Sequence, residues 1–156
     1  MAAAVKGPSA HLTWDELACW NRLGRTWNGI VPGGLVAAYP LEWRKNTALQ
    51  LAVTFEDIRA HLGGTPMIVN SAYRRPDYNR AVGGANVSQH CFGRALDVRH
   101  KHVTPRGLFE EIREMYAEGL LPFLGGVGFY PGFVHFDVRP RVSGRLAVWV
   151  GAGEGG

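Results

Sequence analysis

Ser88-Gln89-His90-Cys91-Phe92-Gly93-Arg94-Ala95-Leu96-Asp97 and, downstream, Phe133-Val134-His135-Phe136-Asp137 decide how this chain is read. Together they offer two imidazoles and a carboxylate, the donor set of a catalytic zinc site that keeps one position open for water. His90 and Asp97 are too far apart for one turn of helix. They suit a loop feeding a strand, with His90 at the loop end and Asp97 on the strand. Gly93 permits a sharp backbone path between them, and Ala95 leaves room beside the site. The second segment reads as a strand, so His135 would sit on a rigid element and supply the third ligand if that strand pairs beside Asp97. Each residue also has a plain structural use. A strand histidine is often simply hydrogen-bonded and an aspartate often caps a turn, so spacing alone leaves the two readings level. Cys91 follows His90 directly, but its side chain should face elsewhere, as a buried small hydrophobe.

Working outward, Gly125-Gly126-Val127-Gly128-Phe129-Tyr130 and Phe133 to Arg139 read as two strands joined by the tight turn Pro131-Gly132. Ala95 to Arg99 and Met67 to Tyr73 supply two more strands, and Leu146 to Val150 offers another. Arg74 to Asn86, with Pro76 and Gly83-Gly84, is a loop or broken helix. Thr104 and Pro105 at N-cap and N1 start a helix to about Glu118. A longer helix covers roughly 41–62. Its apolar face is Ala48, Leu49, Leu51, Ala52, Phe55, Ile58 and Leu62, ended by Gly63-Gly64. Thr13 caps a short helix over residues 14–20, with Glu16 completing a capping box. Gly24 to Pro40 reads as a loop. These elements predict an α+β fold, with a small antiparallel sheet and helices on one face. Residues 1–12 read as a flexible leader, 13–150 as a single domain and 151–156 as a flexible tail.

Composition bounds the function. The 156 residues make one core, 46% apolar and 19% charged, and the 21 glycines and 9 prolines argue for turns rather than a helical bundle. The net charge of +4 favours anionic partners such as bacterial cell wall or nucleic acid. No run of consecutive basic residues supports the nucleic-acid reading. The alternation of basic and aromatic residues in Tyr73-Arg74-Arg75-Pro76-Asp77-Tyr78-Asn79-Arg80 can stack on bases, but a cleft wall for an anionic peptide is the simpler account. The two cysteines are too few for a disulfide framework. No stretch is apolar enough to span a membrane, and Met1 to Pro8 lacks the apolar core of a signal peptide.

The residues also carry a resemblance. Ser71-Ala72-Tyr73-Arg74, Ser88-Gln89-His90-x-x-Gly93-x-Ala95-x-Asp97, Gly125-Gly126-Val127-Gly128 and His135-x-Asp137 resemble the zinc D-alanyl-D-alanine metallopeptidases. That family includes carboxypeptidases, dipeptidases, murein endopeptidases and phage endolysins, and it shares its fold with the amino-terminal domain of hedgehog proteins. The similarity covers roughly residues 40–140. The segment Trp14 to Cys19 resembles the start of phage-encoded members. The resemblance implies that His90, Asp97 and His135 bind Zn2+, that Arg74 steadies a substrate carbonyl or oxyanion, and that Ser88 lines the cleft. Tyr73 and Tyr130 are further candidate substrate contacts. The implied partner is peptidoglycan, with no nucleic acid expected. The implied setting is a phage or prophage lysis or virion enzyme, made in the cytoplasm and reaching the wall after holin-type release or on a virion.

One departure stands out. Many members carry Asp or Glu three residues before the last histidine ligand, as general base; here that residue is Gly132. Asp137, two along the strand from His135 and on the same face, is the candidate catalytic carboxylate. It would act as base or as a partner orienting His135. Its structural alternative is an ion pair with Arg139 or Arg99. His100 and His102 are weaker candidates for proton transfer or substrate contact, and His11 and His61 are expected on the surface. The missing acid leaves an alternative function: a zinc-binding wall-binding or virion module without catalysis.

Overall fold

The computed structural model describes residues 7–18, 39–74, 76–81, 83–85 and 87–151. Elements run α1 (Trp14–Leu17), α2 (Leu41–Lys45), α3 (Thr47–His61), β1 (Met67–Ser71), α4 (Pro76–Ala81), a 3-10 turn (Gln89–Phe92), β2 (Ala95–His100), α5 (Pro105–Ala117), β3 (Gly126–Tyr130), β4 (Phe133–Asp137) and β5 (Ala147–Val150). The strands form one sheet in the order β1-β2-β4-β3-β5.

The first four strands are antiparallel, as expected, while β5 joins parallel to β3 and makes the sheet mixed. The chain reverses at Ser143 (φ 54°) and Gly144 (φ 70°), between the bridged pair Val142 and Arg145. Positive φ at both central residues matches the twist of a tight hairpin turn.

Alternation along the strands separates a core face from a site face. Leu96 and Val98 on β2 lie opposite Phe136 and Val134 on β4, and Val127 on β3 also lies opposite Phe136. All five are fully buried and join Leu108, Ile112 and Met115 of α5. The helix crosses β2, β4 and β3 on that face. Thr104 caps it by accepting from Gly107 N–H, with Pro105 at N1. Burying each such aliphatic or aromatic side chain contributes about 1.5–3 kcal/mol. Ala48, Leu51, Ala52, Phe55 and Ile58 of α3 belong to the same core.

The helix expected over 41–62 is two helices broken at Asn46. Leu49, expected on its apolar face, is instead 48% exposed. The buried positions 48, 51, 52, 55 and 58 already complete a three-four spacing, and residue 49 falls a quarter-turn off it. The capping box at Thr13 and Glu16 forms as expected. Residues 19 and 20 of that expected helix, the loop at 24–38 and the tail at 152–156 lie outside the described residues. The leader is anchored where it is described: Leu12 is in the core, and His11 hydrogen-bonds Glu56 through its N–H and its ring. These contacts join residues 11 and 12 to α3 and the core.

Candidate metal centre

A single row of residues crosses all five strands on the site face. Ser71 lies opposite Asp97, Asp97 opposite His135, His135 opposite Gly128, and Gly128 opposite Trp149. The register of β1 shifts between Val69 and Ser71, which brings Ser71 into that row. Irregularities of this kind re-aim a side chain beside a site.

His90 reaches the row from the 3-10 turn that precedes β2. Ser88 caps this turn, its hydroxyl accepting from His90 N–H at 3.2 Å. Gly93 ends it in the left-handed conformation at φ 68°. A Cβ on Gly93 would also fall 2.2 Å from the Trp43 ring, so the position suits only glycine on two counts. The Gly93 carbonyl accepts from the buried Tyr39 hydroxyl at 2.6 Å. Arg74 N–H donates to the His90 carbonyl, joining the turn to the end of β1.

The ring nitrogens are committed one by one. His90 Nδ1 lies 2.6 Å from the Ala72 carbonyl and must carry hydrogen to pair with it, which leaves the Nε2 lone pair free. His135 Nε2 lies 2.7 Å from Asp137 Oδ2, which assigns its proton there and leaves Nδ1 free. Both free nitrogens lie 3.1 Å from Asp97 Oδ1. The donor atoms of His90, Asp97 and His135 lie within 4.8 Å of one another, and all three residues are buried. Two imidazole nitrogens and a carboxylate oxygen are a zinc donor set, three being the number that leaves a fourth position open. Each histidine has the outer partner that orients such ligands. The residues present therefore fit zinc. Cys91, expected buried, is half-exposed and stands outside this cluster.

Burial and neighbouring charges shift each of these groups. Burial holds the His90 ring below its ordinary value and thus neutral. Burial also opposes charge on His135, but its hydrogen bonds to the Asp137 and Asp97 carboxylates outweigh it and raise that ring. Burial would push Asp97 up; the adjacent His90 and His135 overcome it and hold the carboxyl well below the usual carboxylate range. Asp137 shows the same contest, won by His135 and Arg139, which hold it at about 2.

A second ring of residues fixes the first. Arg74 is buried and gives one N–H group each to Ser71 Oγ, Asn79 Oδ1 and Asp97 Oδ2. Asn79, also buried, uses its other end to donate to the Ala85 carbonyl at 2.8 Å. The fully buried Asp137 accepts from Arg139 N–H, Nε and Nη2. Its carboxylate thus faces the nitrogen of His135 that points away from Asp97, with both oxygens engaged. The ion pair with Arg139 weighed from the sequence is present.

Other expected residues fall as follows. Tyr73 lies among Tyr39 and Trp43, edge-on to both. Tyr130 stacks on Phe133, and its hydroxyl accepts from Trp149 Nε1. His100 and His102 lie at the far end of β2 and contact each other, through His102 N–H to His100 Nδ1. His11 is exposed and His61 lies near Glu111. The burial of Arg74 removes one basic side chain from the surface alternation read over 73–80. Side chains of residues 75, 77 and 78 lie outside the description.

Sequence reasoning missed Ser71, Asn79 and Trp149. The Trp149 ring lies 5.0 Å from the His135 ring and under the Arg139 guanidinium. A Cβ on Gly128 would come 2.4 Å from that indole, so the bare glycine opens this approach. The Gly125-Gly126-Val127-Gly128 run was the available signal, since a glycine within a strand marks a close approach.

No described helix is long and apolar enough to cross a membrane. The family model described as Peptidase M15 matches residues 10–137. No curated protein and no solved structure matches the chain at a significant level.

Proposed function

Because this chain belongs to the Peptidase M15 family, we propose that it is a zinc peptidase that hydrolyses peptide bonds of bacterial peptidoglycan, in a stem or crosslink containing D-amino acids. The observation that supports this most is the paired commitment of the histidines: with Nδ1 of His90 and Nε2 of His135 spoken for, the remaining nitrogens converge on Asp97 Oδ1. Zinc held by His90 Nε2, His135 Nδ1 and Asp97 would polarise the scissile carbonyl and bring a water to a pKa of about 7. Arg74 orients Asp97 through its outer oxygen and keeps a fixed positive charge at the site. A guanidinium has five N–H groups, and those not spent on Ser71, Asn79 and Asp97 suit a carbonyl oxygen that gains charge. Asp137 orients His135 rather than taking a proton, since its oxygens already hold His135 and Arg139. Ser88 shapes the turn that delivers His90, and Tyr73 and Tyr130 contribute to the walls of a peptide cleft. The resemblance of Trp14 to Cys19 to phage-encoded members supports a role in phage or prophage lysis or on a virion.

The test is purified peptidoglycan incubated with the protein, with and without a chelator. Chelator-sensitive release of new amino termini is expected, and mass analysis of the fragments identifies the bond. His90→Ala and His135→Ala should each lose stoichiometric zinc. A second reading, a zinc-binding module without catalysis, is favoured by Gly132 standing where a base is usual and by the saturation of Asp137. Bound zinc with no new amino termini would replace the peptidase reading by that one.

A further inference from the structure

On the outer side of the turn that carries His90, a guanidinium is held still without an ion pair among the described residues. Residues 89 and 92 are three apart in a 3-10 turn, so their side chains eclipse and share one side. Arg94 rests on both. Its Nε donates to Gln89 Oε1 at 2.6 Å, and its guanidinium carbon lies 4.7 Å from the centre of the Phe92 ring. Gln89 is neutral, so neither contact balances the charge. Among the described residues, no carboxylate forms an ion pair with Arg94. Asp137 is near enough to attract it, yet that carboxylate is already filled by His135 and Arg139.

A half-buried cation that meets a neutral amide and an aromatic face has lost hydration that these contacts restore only in part, and its side chain has lost rotamer freedom. An arriving anion would offset both costs. The location suits a substrate. Arg94 immediately precedes β2, and its carbonyl accepts from Val138 N–H just beyond β4, so it stands where the two ligand-bearing strands meet. A strand rises about 3.3 Å per residue, which puts its backbone about 10 Å from that of Asp97, about three residues of an extended peptide. The remaining edge of the guanidinium matches the fork geometry of a carboxylate.

We propose that Arg94 recognises a carboxylate of the peptide substrate, about two to four residues from the bond that is cut. This rests on the peptidase reading above. The carboxylate is either the chain terminus or an acidic side chain, and the two are separable.

The experiment uses the full-length, zinc-loaded protein and one synthetic stem peptide in three forms: all carboxylates free, C-terminal amide only, and side-chain amides only. The unchanged protein should lose about tenfold to a hundredfold in kcat/KM on one of the two amidated forms, which also identifies the source. Arg94→Gln should show the same loss on the free acid and no further loss on that amide, with Arg94→Lys recovering part of it. Calorimetry of the same peptides with metal-free protein should give the same order of affinities. Equal cleavage of all three forms by the unchanged protein overturns the proposal, even if both variants fail to fold. So does full activity of Arg94→Gln on the free acid. If the unchanged protein cleaves none of the peptides, the peptidase reading fails; equal binding of the three forms then overturns the anion site, and a preference for one carboxylate sustains it.

Discussion

Asp137 and Arg74 have parallel places: each is a buried charge that touches one proposed metal ligand on the side away from its candidate donor atom. Removing such an outer partner typically weakens metal binding tenfold to a hundredfold while the fold survives. Asp137→Asn keeps the size of the side chain but loses the charge that Arg139 and His135 share. Zinc affinity, read by competition with a chelating dye, should fall about tenfold to a hundredfold, with the far-ultraviolet spectrum unchanged. Wild-type affinity would show that Asp137 does not orient His135. At this scale the motif and the three residues that cluster, His90, Asp97 and His135, were legible in the sequence. The division of labour was not, because which oxygen faces which nitrogen depends on rotamers fixed by neighbours from other segments. Asn79 illustrates the point: nothing local distinguishes it from a loop asparagine, yet it joins Arg74 to the Ala85 carbonyl.

Among the elements, the strands and the capped helices α1 and α5 were readable because their signals are local. Thr13 and Glu16, Thr104 and Pro105, and the alternation in β2 and β4 each report a period or a cap. The attachment of the amino-terminal segment was not readable, since it depends on Glu56 of α3 meeting His11. Burial pushes the Glu56 carboxyl up, but the hydrogen bonds it accepts from the His11 N–H and ring outweigh it and hold it below its ordinary 4.5. A carboxyl lowered on folding stabilises the protein above its unfolded pKa, and that contribution is lost as pH falls through the folded value. For a partly exposed pair it amounts to about 0.5 kcal/mol. Urea unfolding at pH 7 should therefore show Glu56→Gln slightly less stable than wild type. The gap should close on acidification below about pH 4.5. A gap that stays constant down to pH 3 would show that the carboxylate contributes nothing through its charge.

For the whole molecule, the proposed metal donors come from the 3-10 turn, β2 and β4, so a bound ion would tie together elements distant in sequence. Anything that binds only the folded state stabilises it by mass action: free zinc at a hundred times its dissociation constant adds about 2.7 kcal/mol. In a chain of this size that raises the melting temperature by roughly 5–10 °C. A chelator should reverse the rise, and His135→Ala should abolish it. An unchanged melting temperature on chelation would remove His90, Asp97 and His135 as a metal site. By itself the sequence determined the α+β class, the turn and strands that carry His90, Asp97 and His135, and the family pattern, because periodicity, caps and motif spacing are properties of neighbouring residues. Only the tertiary structure decided that β5 lies parallel to β3, that Gly128 admits Trp149 beside His135, and that Asp137 and Arg74 stand behind His135 and Asp97. Strand order and the pairing of buried charges arise from packing between segments far apart along the chain, where no local pattern records the partner.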